Sequence, residues 1–260
     1  KQSRDIAQGV DSGGAGDQGL MFGYATDETK ELLPIPYVLA TKALLKLKDL
    51  DHPLLGLDAK AQVSYDYVKK RIDTFLISTQ HKEEASLAMV TGIVSQAMLE
   101  VAKDHKLNTD FKMLVNPTGR FVLGGSHADA GVTGRKIIAD TYGGVCRHGG
   151  GAFSGKDPSK VDRSGAYMAR KIACDLVREK IAKRCEVQIA YAIGKKEPVS
   201  IYVNTFGTSD YSDDNIVEMI RVRYDLSPRG IIEELDLLNV DYTKTTCYGH
   251  FGKADLPWEV

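Results

Sequence analysis

Apolar positions along this chain switch between a period of two and a period near 3.6, and the order of the switches predicts its elements. The apolar run over 20–25 reads as a strand and 35–48 as a helix. Ala59, Ala61, Val63, Tyr65 and Tyr67 alternate with polar neighbours, which predicts a strand, and 74–80 predicts a second. Over 82–106 the spacing turns helical, with Leu87, Val90, Val94, Ala97, Met98 and Val101 on one face. Met113, Leu114 and Val115 make a short strand ahead of the turn-forming Asn116-Pro117-Thr118-Gly119. A helix is then predicted over 162–184, a strand through Val187, Ile189, Tyr191 and Ile193, and another through Val199, Ile201 and Val203. A further helix follows Ser212 with Ile216, Val217 and Ile220 inward, and Ser227-Pro228 reads as an N-cap with proline at the first helical position.

The order helix–strand–strand–helix thus occurs twice, at an offset of about 126 to 130 positions. A steady offset predicts an α+β fold of repeated domains, each a mixed or antiparallel sheet covered on one face by helices. Chance recurrence of a common arrangement is the alternative, because the residue identities do not obviously repeat.

Composition narrows the class. With 260 residues, 43% of them hydrophobic, 27% charged and a net charge of −1, the chain can bury a substantial core. It has no overall charge that would draw it to nucleic acid or an anionic membrane. No run approaches the ~18 apolar residues of a membrane-spanning helix. Cys146, Cys174, Cys185 and Cys247 lack C-x-x-C spacing and matching histidine pairs, which predicts buried thiols in a reducing cytoplasm, not a disulfide frame or a zinc site. The chain opens on Lys1 without an initiator methionine and is read as part of a longer translation product.

The stretch 149–164 carries the densest chemistry: small residues, two lysines and two carboxylates. Gly150 to Lys156 satisfies the G-x-x-x-x-G-K half of a phosphate-binding loop, in which glycines let backbone N–H groups approach phosphate oxygens. Asp157 stands where such a loop needs Ser or Thr for magnesium, and no apolar strand leads into the glycines, so a generic P-loop phosphotransferase fits poorly. Polyphosphate still fits, with lysines for charge and Asp162 as a hard-oxygen magnesium ligand. A glycine-rich turn before a solvated helix start is the bland alternative.

Three further clusters accompany it: the loop Gly14-Ala15-Gly16-Asp17-Gln18-Gly19; Asp58-Ala59-Lys60 at a strand start; and the run from Gly124 through His127 and Asp129 to Arg135-Lys136. Lys60, Arg135, Lys136, Lys156 and Lys160, if convergent, would repel one another by several kcal/mol in a partly buried cleft unless a polyanion sat among them. Singly, each reads as a solvated loop lysine or arginine. His127, His148 and His250 lie among glycines outside any H-x-x-H pattern, which argues against a histidine metal site. Phe121 and Phe153 border the glycine loops and suit either a purine contact or a core anchor. No activated nucleophile is evident, which favours direct displacement over a covalent intermediate.

Gly14-Ala15-Gly16-Asp17-Gln18-Gly19 with Leu20-Met21-Phe22-Gly23-Tyr24-Ala25-Thr26, and Gly149-Gly150-Gly151-Ala152-Phe153-Ser154-Gly155-Lys156-Asp157, resemble the two signatures of the S-adenosylmethionine synthetase family. Asp129-Ala130-Gly131-Val132-Thr133-Gly134-Arg135-Lys136 and Tyr248-Gly249-His250-Phe251-Gly252 are similar to further blocks of it, and the likeness runs essentially from Gln2 to Glu259. The resemblance implies a pseudo-threefold architecture with one copy largely missing: 1–12 as the remnant of an N-terminal domain and gating loop, 13–119 as a central domain, 120–260 as a C-terminal one. It implies condensation of ATP with L-methionine, hydrolysis of the expelled triphosphate, two Mg2+ per site and activation by K+. Lys60, Arg135, Lys136 and Lys156 would act on the triphosphate and Asp162 would hold magnesium. Asp17, Asp58, Arg120, Phe121, Asp129 and Ala152 would complete the ATP site, while Gln2, Asp129 and Lys160 would contact methionine. A cytoplasmic homodimer with interface active sites, paired again into a dimer of dimers, is implied as well. The family's amino-terminal His-Pro-Asp-Lys segment is absent and 8–13 is shorter than many gating loops, so these 260 residues alone are expected to be inactive. A non-catalytic regulatory or assembly relative is the rival, which decay of the charged set would favour; that set reads intact.

Overall fold

The structure is a computed structural model and describes residues 13–260. In chain order it forms β1 (Gly19–Thr26), α1 (Ile35–Leu50), β2 (Leu55–Asp66), β3 (Arg71–His81), α2 (Leu87–Asp104) and β4 (Lys112–Val115). Then follow α3 (Val161–Arg178), β5 (Arg184–Tyr191), β6 (Ser200–Asn204), α4 (Asp213–Arg223) and α5 (Pro228–Glu234). Among the described residues no helix is long and apolar enough to cross a membrane. The described residues divide into two compact units: 35–132 is inserted into a split unit made of 13–34 and 133–260.

The inserted unit holds a mixed sheet in the order β2-β3-β4, with β2 antiparallel and β4 parallel to β3. Leu39, Ala43 and Leu47 of α1 and Val90, Val94, Met98 and Val101 of α2 pack over Ile72, Phe75 and Ile77 of β3. On β2 the predicted alternation holds for Ala61, Val63 and Tyr65, which face this cluster, while Lys60, Gln62 and Ser64 are exposed. Tyr67 falls outside the strand, because the Asp66 carboxylate accepts the N–H groups of Val68 and Lys69 and turns the chain. The helix expected from 82 begins at Leu87, since the Ser86 side chain accepts the Met89 N–H and caps it.

In the split unit the sheet order is β1-β5-β6, antiparallel throughout, with Thr26 facing Arg184 and Gly19 facing Tyr191. Nearly all of α3 is buried. A methyl group added at Gly23 of β1 would run into the Ala169 backbone of α3, so glycine permits this close crossing. The free edge of β1 is covered: the Tyr24 N–H donates to the Tyr142 hydroxyl at 3.0 Å, and the Tyr24 carbonyl accepts from Arg170 at 2.6 Å. Helix α3 stops at Arg178, short of the predicted 184, and Lys180 takes a left-handed φ of 60° in the turn to β5. Ser212 and Ser227 cap α4 and α5 through the N–H groups of Asn215 and Gly230, as read from the sequence. All four cysteines are free; Cys146, Cys174 and Cys185 are buried as expected, but Cys247, just after a surface 3-10 turn, is exposed.

Candidate active site

The glycines of 149–151 answer first to the protein's own packing. A side chain at Gly149 would collide with the Leu20 carbonyl of β1, and one at Gly151 with the Asp162 carboxylate. Gly150 and Gly155 are different, with φ of 93° and 84° and open space where a Cβ would stand. The loop therefore threads between the start of β1 and the start of α3, and it is not the strand-to-helix turn of a P-loop. Around it lies a cleft lined by Leu20, Phe22, His148, Gly149, Gly151, Phe153 and Asp162.

At one side of this cleft Lys156 Nζ meets Asp162 Oδ2 at 2.5 Å, both side chains partly exposed. Asp162 sits in the first turn of α3. Lys156 is placed by its backbone: the buried Arg163 guanidinium donates to the Lys156 carbonyl at 2.8 Å and to the Tyr167 hydroxyl at 3.0 Å, and lies 4.0 Å over the Tyr242 ring. Tyr167, its phenol pushed up to about 12 by burial, accepts from Arg163, and its hydroxyl is hydrogen-bonded with His250 Nδ1 at 2.7 Å. His250 Nε2 then faces Ser154 Oγ at 3.2 Å. Burial, with Arg163 and Lys253 nearby, pushes the His250 pKa down to about 3, so the ring is neutral. Phe153 is a core anchor, stacked on His148 and edge-on to Tyr167, His250 and Phe251.

Gly134, at φ 85°, lies against Ala152 and Ser154, so the segment leading to exposed Arg135 and Lys136 runs beside the glycine loop. Lys160, half-buried, and exposed Asp17 also belong to this unit; the Asp17 carboxylate accepts the Gln18 N–H at 2.8 Å. The inserted unit carries Asp58, Lys60, Arg120, Phe121 and Asp129. There Asp58 accepts the Gly125 N–H at 2.8 Å, which ties this segment to β2, the strand that bears Lys60, and Gln80 of β3 donates to the Val122 carbonyl at 3.0 Å. Arg120 is paired with Glu83 at 2.6 Å, the Phe121 carbonyl accepts the His81 N–H while the Phe121 N–H donates to His81 Nε2, and Asp129 is exposed. Gln2 and most of the expected gating loop lie outside the described residues.

Sequence reading passed over Arg163, Tyr167 and Arg170. Their spacing of four and three marks one face of α3, yet two arginines on a stripe suggest a solvated face, and only burial reveals them as inward.

The family model for the S-adenosylmethionine synthetase central domain matches residues 12–121, and that for the C-terminal domain matches 123–260. The chain belongs to the S-adenosylmethionine synthetase family. Two S-adenosylmethionine synthases, from two strains of Staphylococcus epidermidis, are each 50% identical to it over 287 residues, a match that takes in 100% of the chain and 71% of either relative. For a member of this family the two matches cut across the compact units: β1 falls in the central-domain match but pairs with β5 of the C-terminal one.

Proposed function

We propose that the protein makes S-adenosylmethionine from ATP and L-methionine. The methionine sulfur attacks the ribose C5′, the C5′–O bond breaks, and the triphosphate leaves with the bonding electron pair; water then cleaves it to pyrophosphate and phosphate. The observation that carries this reading is that Gly151 and Asp162 line one cleft, with Lys156 paired to that Asp162 and the segment leading to Arg135 and Lys136 beside the glycine loop. A leaving group of about four negative charges is best stabilised by preorganised cations, and Lys60, Arg135, Lys136 and Lys156 are assigned to it. Asp17, Asp58, Arg120, Phe121, Asp129 and Ala152 border the nucleotide, and Gln2, Asp129 and Lys160 the methionine.

Among the described residues no three His, Cys, Asp or Glu side chains cluster as a metal cage. A single carboxylate beside a phosphate site suits Mg2+, which takes one or two carboxylates and completes its shell with phosphate oxygens and water. Asp162 would hold one of two such ions, and the ions when bound would neutralise charge on the departing group. Lys156 now spends its charge on Asp162. Ligand entry exchanges that partner for a phosphate oxygen and frees the carboxylate. K+ activation and a cytoplasmic site of action are part of the same proposal, with family membership as their support. Within its own unit the β2-β3-β4 sheet has helices packed on one face only, which supports assembly into a homodimer and a dimer of dimers.

The test is S-adenosylmethionine formation by the full-length protein with ATP, methionine, Mg2+ and K+, read by mass. Lys156→Met should cut turnover by about a hundredfold or more while methionine affinity barely moves. Near-normal turnover in that variant would sink the assignment. Binding of both substrates without product would favour a non-catalytic relative instead.

A further inference from the structure

We propose that His148 is a ligand-binding residue of this site, its Nε2–H donating a hydrogen bond to an oxygen of a phosphate chain received at the cleft that His148 lines with Gly151 and Asp162. The inference deepens the function just proposed and rests on it.

The tautomer follows from the backbone. The Gly150 N–H donates to His148 Nδ1 at 2.8 Å, and an amide N–H can only donate, so Nδ1 carries no proton. In the neutral ring the proton is therefore on Nε2. The ring is kept neutral by burial, which lowers its pKa against the opposing pull of Asp162. Nε2 is shielded from solvent and meets no hydrogen-bond partner in the protein. Native structures seldom leave a buried N–H unmet, and a ligand supplies what the chain does not.

The ring is also held. It stacks on Phe153 at 5.8 Å and 22°, and Phe153 is itself locked among Tyr167, His250 and Phe251. His148 lines the same cleft as Asp162 and Gly151, with Lys156 bridging to Asp162 at its side. A phosphate oxygen has lone pairs and no proton, which matches a fixed neutral N–H. The donor adds no charge to compete with Lys156 for Asp162. It also explains why the Gly150 amide is turned inward to the imidazole: that amide sets the tautomer that leaves Nε2 to the ligand.

Two substitutions separate a binding role from a loop-shaping one. An asparagine amide reaches the Nδ1 position and a glutamine amide the Nε2 position. His148→Asn keeps an acceptor for the Gly150 N–H but loses the outer donor; His148→Gln does the opposite. With inorganic tripolyphosphate titrated into the full chain by calorimetry, His148→Asn should bind roughly tenfold to a hundredfold more weakly, the range for one hydrogen bond to a charged acceptor, while His148→Gln stays within about threefold of the unaltered protein. The reverse order, equal weakening of both, or no change in either overturns the proposal. A readout free of substitution is the His148 imidazole nitrogen and proton resonances of the unaltered protein. The Nε2–H signal should move on adding tripolyphosphate, and a signal that stays put overturns the proposal even if both variants unfold. An unaltered protein that binds tripolyphosphate and makes S-adenosylmethionine, with a silent His148, removes this inference alone; one that binds none removes the proposed function with it.

Discussion

In the inserted unit α1 and α2 meet over Phe75 and Ile77 through Leu39, Leu47, Val94 and Met98, an apolar cluster with no charge among its buried members. In the split unit the principal helix takes Arg163, Arg170 and Asp175 into the interior, and Glu186 and Glu259 are buried with them. Every buried Arg, Asp or Glu among the described residues belongs to this second unit. The contrast separates two jobs. Apolar packing is non-directional and holds elements together without fixing which atom faces which. A buried guanidinium has donors in fixed directions and is costly unless all of them are met. Arg170 meets the carbonyls of Tyr24, Glu31 and Leu32 and both carboxylate oxygens of Glu259, and Arg163 meets the carbonyl of Lys156. These are loop and strand-edge atoms around the glycine signatures. Directional burial is concentrated in the unit that must hold loops still.

Breaking Arg170 tests that contrast most severely. Arg170→Met leaves Glu259 charged and unpaired in the interior and strips three carbonyls, a loss of about 3–5 kcal/mol. Hydrogen exchange should show protection falling in β1 and α3 while α1 and α2 keep theirs; equal loss in both units would mean that they are not separately stabilised. Leu39→Ala is the counterpart in the inserted unit and should cost about 3 kcal/mol, as a buried leucine leaving a cavity does. There the exchange pattern should invert, with α1, α2 and β3 losing protection.

The smallest effect sharpens the comparison through pH. His250 is neutral when folded, with its pKa pushed down to about 3, whereas in the unfolded chain it takes a proton below about 6.5. The unfolded state then binds more protons, so this contribution is complete above about pH 6.5 and is lost as pH falls toward 3. Between pH 7 and pH 5 the split unit should lose on the order of 2 kcal/mol by denaturant midpoint, and His250→Gln should flatten the slope. An unchanged slope in that variant would show that His250 is not the group responsible.

Much of the fold was legible because alternation and capping are local. Val187 and Ile189 alternate in β5 and are buried, and Ser212 and Ser227 announce their helices whatever lies far away in sequence. Strand partners were not legible. Gly19–Thr26 sits next to α1 in sequence yet pairs with Arg184–Tyr191, and no period reveals a partner so distant. The glycine-rich loops and their lysines stood out by composition, but the reasons for individual glycines did not. Gly149 and Gly151 make room for Leu20 and Asp162, an arrangement that exists only after folding. The buried roles of Arg163 and Arg170 are not legible either, because a buried polar residue and a solvated one look alike until their partners are known.

That distant pairing also bears on the order of assembly. Thr26 meets Arg184, 158 positions along the chain, whereas β2 and β3 are joined by a turn of a few residues, Tyr65 facing Ile72. Closing the longer loop costs about 3 kcal/mol more chain entropy than closing the hairpin. Contacts of such high sequence separation form late. During synthesis β1 emerges early, its partner only after the whole inserted unit has been made, and until then its Met21-Phe22 pair is without its sheet. The inserted unit, complete in its own local contacts, has the means to fold during that wait and to shorten the floppy span that β1 must bridge. The glycine loop of the site, set between β1 and α3, is accordingly among the last parts of the molecule to take shape.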